Sequence, residues 1–110
     1  MAVAATVTQA CAAPTTPGSG VDANGVWLHP GFTSRIIARG GQTVPGTGFG
    51  YRIFPDGAAT FVDPAVAGGW YLAVNHAVPG GGGGVSSTRF APDGTVVGAG
   101  SICANTSQNC

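Results

Sequence analysis

The sequence contains no lysine and no glutamate, and charged residues account for only 7% of its 110 residues. Four arginines balance four aspartates, so the formal net charge is zero. A chain without a basic excess lacks the electrostatic attraction on which binding to nucleic acids and anionic membranes depends. We therefore expect neither nucleic acid nor a charged lipid surface as a partner.

Uninterrupted helical periodicity and long apolar runs are also lacking. Lysine and glutamate are two of the better helix formers, and 20 Gly and 8 Pro interrupt any helical periodicity. The same interruptions keep every apolar run well short of the ~20 residues that a membrane-spanning helix needs. The sequence therefore predicts an all-β chain with no transmembrane segment.

The first part of the chain differs in composition from the rest. Residues 1–12 are mostly small and apolar, and Ala10-Cys11-Ala12 has the spacing of a signal-peptidase site, but no basic residue precedes it. This segment is interpreted as the remnant of an export signal or as a disordered start. Residues 13–25 combine Pro, Gly, Ser and Thr and predict a linker, which leaves 26–110 as the folded domain.

Short runs of apolar and β-branched residues alternate with turn residues throughout that domain. They predict six strands: Thr33 to Arg39, Gly50 to Phe54, Thr60 to Val62, Trp70 to Asn75, Val85 to Phe90 and Thr95 to Ala99. Within the fourth run, side chains alternate between two faces, with Trp70, Leu72 and Val74 on one face. We expect that face to pack and the other to stay adaptable.

Two Pro-Asp-Gly turns punctuate the strands. Their aspartates, Asp56 and Asp93, lie 37 positions apart (93 − 56), which is close to the period of a propeller blade. Pro sets φ, Asp bonds its own backbone and Gly accepts a positive φ, so each turn is expected to join two antiparallel strands. The sequence therefore predicts antiparallel hairpins forming roughly two blades of a β-propeller.

Side chains capable of chemistry are few. Asn75-His76 ends a predicted strand just before the loop formed by Pro79 and Gly80 to Gly84. A neutral imidazole and an amide oxygen are both possible metal ligands, and an ordinary turn-capping pair is the alternative interpretation. His29 has no acidic or cysteine neighbour at ligand spacing and is interpreted as structural.

Three cysteines leave at least one without an intramolecular partner. Cys103 and Cys110 enclose six residues, and two hypotheses fit that spacing: a small disulfide loop formed in an oxidising compartment, or a thiolate that binds a metal. The spacing alone does not decide between them.

The order of the motifs resembles the start of the PhoX-type alkaline phosphatase family over roughly residues 25 to 110. The matching motifs are Leu28-His29-Pro30-Gly31-Phe32, Pro55-Asp56-Gly57, Gly68-Gly69-Trp70-Tyr71-Leu72-Ala73-Val74-Asn75-His76, Gly83-Gly84-Val85-Ser86-Ser87-Thr88-Arg89-Phe90, Asp93-Gly94 and Asn109-Cys110. The resemblance implies part of a six-bladed propeller that binds calcium and iron and hydrolyses phosphomonoesters. It also implies export to the periplasm or the extracellular space, with the remainder of the propeller chain as the partner of this segment.

By the same resemblance, Asn75, His76 and Cys110 are assigned to a metal site, with Cys110 as the iron-type thiolate. Ala77 stands where the family carries a glutamate, and an alanine side chain cannot bind a hard cation. The expected function is therefore a fragment of an extracytoplasmic metal-dependent phosphatase that is incomplete on its own. The alternative is a non-catalytic, exported, propeller-like binding module.

Overall fold

The structure is a computed structural model, and it describes residues 21–106. The chain divides into two compact units, of which the first ends at Ile36 and the second begins at Ile37. All of the strands belong to the second unit. Within residues 21–106, no helix is both long and apolar enough to cross a membrane.

The second unit is built on a four-stranded antiparallel sheet, so the predicted all-β class is confirmed. Its strands are β1 (Pro55–Val62), β2 (Trp70–His76), β3 (Gly83–Phe90) and β4 (Val96–Thr106). They lie in the sheet in the order of the sequence, β1-β2-β3-β4, and the sheet is open. A single 3₁₀ turn, Pro79–Gly81, interrupts the connection between β2 and β3.

The second Pro-Asp-Gly sequence forms the hairpin turn that was predicted for it. The backbone N–H of Gly94 donates to the carbonyl of Ala91 at 2.8 Å, and the Oδ1 atom of Asp93 accepts from the N–H of Thr95 at 2.8 Å. Gly94 has a φ of 84°, which a residue with a side chain rarely adopts. This turn therefore joins β3 to β4 through the chemistry expected from its residues.

The first Pro-Asp-Gly sequence does not form a hairpin turn, which corrects the sequence prediction. Residues Pro55 to Gly57 begin β1 itself, and the pairing with β2 shifts register between Pro55 and Ala58. Both copies thus serve one sheet, and their spacing is not the period between two blades. The described chain holds one four-stranded sheet, and the two predicted propeller blades are not confirmed.

Two of the six predicted strands are also absent from the described residues. Thr33 to Arg39 has no strand pairing, and Gly50 to Phe54 contributes only an isolated bridge between Thr43 and Gly50. Turns at Gly40-Gly41 and Pro45-Gly46 interrupt this stretch before any ladder with a neighbouring strand can form. Strand propensity without such a partner does not make a strand.

Alternation along β2 and β3 gives the sheet two different faces. The register pairs Trp70 with Phe90 and Val74 with Ser86, whereas Ala73 lies opposite Ser87. We call the first side the closed face; on β2 and β3 it carries Trp70, Leu72, Val74, His76, Ser86, Thr88 and Phe90. The other side is the open face; it carries Tyr71, Ala73, Asn75, Val85, Ser87 and Arg89.

The closed face holds the core. Val74 and Phe90 are 5% and 1% exposed, and the ring of Phe90 stacks on that of Trp70 with 3.9 Å between centroids and 6° between planes. Loop residues preceding β1 cover part of this face, because the Tyr51 ring lies edge-on to that of His76 and Nδ1 of His76 lies 3.3 Å from the carbonyl oxygen of Ile53. The packing predicted for one face of the fourth run is therefore confirmed.

An ion pair between the buried Asp63 and the partly exposed Arg89 fastens the loop between β1 and β2 to β3. The Oδ2 atom of Asp63 lies 2.6 Å from Nε of Arg89, and its Oδ1 atom accepts from the N–H of Ala65 at 2.9 Å. These contacts lower the pKa of the Asp63 carboxyl, with the Ala65 hydrogen bond as the largest cause and Arg89 as a further one. The loop is thereby held by both backbone and side-chain contacts.

The first unit, from residue 21 to Ile36, is organised around Asp22. Its Oδ1 atom accepts from the N–H groups of Asn24 and Val26, each at 2.9 Å, while its Oδ2 atom accepts from the hydroxyl of Ser34. The Ser34 hydrogen bond is the main reason that the pKa of Asp22 is lowered. Further along this unit, the His29 ring lies edge-on to that of Phe32 at 6.1 Å.

Candidate functional site

Two polar side chains that are fully enclosed by the protein meet on the closed face. His76, at the end of β2, is 0% exposed, and Ser86, on β3, is 1% exposed. Nε2 of His76 lies 2.7 Å from Oγ of Ser86, and Nδ1 lies 3.3 Å from the carbonyl oxygen of Ile53. Both ring nitrogens of the imidazole are therefore hydrogen-bonded to protein groups.

The chemistry of these partners fixes the proton positions. A carbonyl oxygen only accepts, so Nδ1 of His76 carries the hydrogen and donates to Ile53. In a neutral imidazole Nε2 is then an acceptor, and the hydroxyl of Ser86 donates to it. Tyr51 completes the group, since its ring stands edge-on to the imidazole with 4.8 Å between centroids.

Burial controls the ionisation of this cluster. It is the main cause that lowers the pKa of His76, with the positive charge of Arg52 acting in the same direction. Burial also raises the pKa of the Tyr51 phenol. Both shifts favour the uncharged forms, which is what removal from water predicts, so the cluster is neutral at neutral pH.

A serine hydroxyl donating to a histidine nitrogen is also the arrangement of an activated nucleophile. Here, however, Ser86 and His76 are 1% and 0% exposed, and the second imidazole nitrogen is held by a backbone carbonyl instead of a carboxylate. A substrate has no access to this hydroxyl in the folded structure. The arrangement is that of a satisfied buried polar network, which joins the loop before β1 to two strands.

The open face carries a depression of about 400 Å³. The described residues that line it are small or apolar apart from one: Gly57, Ala58, Ala59, Phe61, Ala73, Asn75 and Val85. They come from β1, β2 and β3. A volume in this range, a mostly apolar lining and a single well-placed amide are typical of small-ligand sites.

The strand register explains why the depression forms. Ala73 on β2 faces Ala59 on one side and Ser87 on the other, so three short side chains lie next to one another across the sheet. Phe61, which is 57% exposed, and Asn75 rise beside this low area. Asn75 is therefore reachable from solvent, whereas its neighbour His76 is not.

The predicted metal residues are not brought together in the described part of the chain. Asn75 and His76 lie on opposite faces of β2, and both imidazole nitrogens already have partners. Residues 21–106 contain no group of three His, Cys, Asp or Glu side chains able to hold a metal ion. Cys110 lies outside the described residues. The residues described here therefore do not fit a shared calcium or iron centre.

Cys103, on β4, is disulfide-bonded. The other two cysteines, Cys11 and Cys110, both lie outside the described residues. Of the two hypotheses for Cys103, the structure thus favours a disulfide over a free thiolate ligand.

The sequence predicted a candidate site at the end of β2 but did not predict two residues that contact His76. Tyr51 lies 25 positions before it and Ser86 10 positions after it, and contacts between such separate segments leave no local motif. The alternation of Ser86, Thr88 and Phe90 along β3 is a signal that places Ser86 on the packed side.

No protein-family model, curated protein or solved structure matches this chain.

Proposed function

We propose that this chain is a non-catalytic β-sheet binding module that takes up a small, partly apolar ligand on the open face. The observation that carries the proposal is the depression of about 400 Å³, in which one amide stands among apolar groups. Apolar side chains supply non-directional contact, and a single polar group orients the ligand. The nucleophile-like pair on the other face is shielded from any substrate.

Phe61, Val85 and Asn75 define the ligand class. An aromatic or alicyclic ring of about six atoms suits the apolar lining, and a carboxamide matches the Asn75 side chain because both groups donate and accept. Charged ligands are disfavoured, since no charged side chain lines the depression among the described residues. Benzamide combines these features and is a suitable probe.

Binding of benzamide is measured by two-dimensional ¹H–¹⁵N NMR titration of the labelled chain. We expect shift changes confined to the residues that line the depression. Asn75→Ala removes one hydrogen bond and should weaken binding by about threefold to tenfold. Val97→Ala is the matched control, because Val97 is an exposed residue of β4 that is absent from the lining.

Ala73→Leu distinguishes specific binding in the depression from non-specific binding to apolar surface. The larger side chain fills the floor of the depression and should abolish the shift changes, although it makes the surface more apolar. Stronger binding by Ala73→Leu, or shift changes spread over the whole surface, would contradict the proposal.

The phosphatase resemblance supplies a second candidate function. Four consecutive antiparallel strands are the repeating unit of a β-propeller, and β1 to β4 have that order. In this proposal the sheet is one blade of an exported, metal-dependent phosphatase and acts as scaffold. Its metal ligands would lie outside residues 21–106.

An assay with p-nitrophenyl phosphate distinguishes the two candidates. Because the phosphatase candidate places its metal ligands outside residues 21–106, the assay uses the product of the full-length gene, incubated with calcium and iron and in parallel with a chelator. The binding module predicts no turnover in either sample. Turnover that requires the metals would instead establish the phosphatase.

A further inference from the structure

We propose that two copies of this chain form a symmetric dimer in which β1 pairs antiparallel with β1 of the second copy. The result is one eight-stranded sheet with a two-fold axis at its centre. This inference goes beyond ligand binding and rests on the exposed edge of the sheet.

In the part of the chain that the structure describes, β1 is an edge strand. It is the first strand of the sheet, all eight of its residues are exposed, and among residues 21–106 its only ladder is the one with β2. Within residues 21–106, no further backbone hydrogen bond involves β1. Its outer N–H and C=O groups therefore remain available, and the chemical group that matches such a row is another β-strand.

The usual defences against edge pairing are confined to the first residues of β1, Pro55 and Asp56. Proteins blunt exposed edges with charges, prolines or bulges, yet Gly57 to Val62 contains neither charge nor proline. The register shift against β2 is confined to Pro55 and Ala58, and pairing is regular from Ala58 to Val62. Phe61 and Val62 are 57% and 80% exposed, so pairing would also bury apolar surface.

The opposite edge, β4, is less suited to this role. Its pairing with β3 shifts register at three places, and such irregularities bend and twist an edge away from a partner. Cys103 and Thr106 on β4 already take part in other interactions. A second copy of the chain is a fitting occupant for β1 because the neutral net charge of the chain raises no repulsion between copies.

Symmetry restricts the register of the pairing. In an isologous antiparallel pair, residues directly opposite each other point to the same face of the sheet, and so they are an even number of positions apart in the sequence. One residue therefore lies opposite its own copy, and we describe it as lying on the two-fold axis. With Thr60 on the axis, Thr60 faces its own copy, Ala59 faces Phe61, and Ala58 faces Val62. Each large side chain then lies opposite a small one, and all residues from Ala58 to Val62, the stretch with regular pairing, take part in the contact between the copies.

Neighbouring registers are worse. An axis at Ala59 places the charged Asp56 opposite the apolar Val62. An axis at Phe61 places Ala59 opposite Asp63, whose carboxylate is already engaged by Arg89. The register centred on Thr60 avoids both conflicts.

This pairing changes the candidate site on the open face. Ala59 and Phe61 both line the depression, and in the dimer Phe61 of the second copy stands directly beside Ala59. The two depressions become neighbours across the seam between the copies. Each copy thus adds an aromatic side chain to the site of the other.

Sedimentation equilibrium of the complete 110-residue chain, without benzamide, tests the proposal. We expect a dimer at micromolar concentrations. Thr60→Lys places two ammonium groups across the axis and should raise the dimer dissociation constant by about tenfold or more. Val97→Lys adds the same charge on β4, at a side chain that is 54% exposed, and should leave the dimer unchanged.

Cross-linking supplies an independent readout if Thr60→Lys proves poorly folded by circular dichroism. On mild oxidation, Thr60→Cys should give a dimer in which peptide mapping finds a disulfide between the two introduced cysteines, and Val97→Cys should not give the corresponding link. A monomeric wild-type chain, a dimer disrupted by Val97→Lys but not by Thr60→Lys, or open-ended assemblies would each overturn the proposal. Since no ligand is present, that failure would leave the binding function untouched.

Discussion

The two faces of this one sheet differ more in packing than in composition. On the closed face, His76, Ser86 and Thr88 are polar and yet 0%, 1% and 2% exposed, respectively. On the open face, Ala73 and Val85 are apolar but remain partly exposed to solvent. The polarity of the side chains therefore does not determine which face of the sheet is buried. A face is buried where other segments of the chain supply hydrogen-bond partners and packing atoms.

Stability and ligand binding therefore depend on different faces of the sheet. The closed face gains apolar burial from Val74 and Phe90, and both imidazole nitrogens of His76 are hydrogen-bonded there, to Ile53 and Ser86. On the open face, Ala73, Asn75 and Val85 line the depression and remain partly exposed, so they are free to contact a ligand. Substitutions on the two faces should accordingly have unequal effects on the free energy of unfolding.

The largest effect is expected from Phe90→Ala. Phe90 is 1% exposed and stacked on Trp70, so truncation leaves a cavity and should lower the free energy of unfolding by about 3–5 kcal/mol. Urea unfolding followed by fluorescence measures the change. As a control, Ile102→Ala truncates a side chain that is 64% exposed and should stay within about 0.5 kcal/mol of the wild type. Equal effects would remove the distinction between covered and uncovered positions.

Ser86→Ala and Ser87→Ala compare adjacent residues that point to opposite faces. Removing the Ser86 hydroxyl deprives Nε2 of His76 of its donor and should cost about 1–3 kcal/mol, the penalty of an unsatisfied buried polar atom. Ser87→Ala should change stability by no more than about 0.5 kcal/mol. If Ser87 proved the more costly of the two, the assignment of faces would be wrong.

A smaller effect is expected from pH. Because burial lowers the pKa of His76 in the folded state below its ordinary 6.5, the unfolded chain takes up a proton first as the pH falls. Stability contributed by the neutral imidazole is therefore complete above pH 6.5 and declines below it, by up to about 1.4 kcal/mol per pH unit. Urea midpoints measured from pH 8 to pH 5.5 check this slope.

Two variants identify the group responsible. His76→Gln should flatten the slope over that range, whereas His29→Gln, which alters the other histidine of the chain, should retain it. A slope that survives His76→Gln would assign the pH dependence to a different group.

The sequence predicted the fold class and the later strands well. Trp70 to Asn75, Val85 to Phe90 and Thr95 to Ala99 lie within or next to β2, β3 and β4, because alternation and a Pro-Asp-Gly turn are local signals. The two faces of β2 also follow from alternation alone.

Other features depended on partners that no local pattern reveals. Thr33 to Arg39 has strand-forming residues but no neighbour to pair with. The first Pro-Asp-Gly became the start of β1 because the residues before it lie in a loop, in which Phe54 has a φ of 52°. At the site, the position of Asn75 was predictable, whereas the burial of His76 required Tyr51 and Ser86, which tertiary contacts bring to it.

The most direct measurement of the contrast between the faces is methyl NMR with a soluble gadolinium chelate. The chelate broadens signals from groups that solvent reaches. We predict strong broadening for the methyl groups of Ala73 and Val85 on the open face, and protection for those of Val74 and Thr88 on the closed face. Equal broadening on both faces, or protection of Ala73 and Val85, would contradict the account.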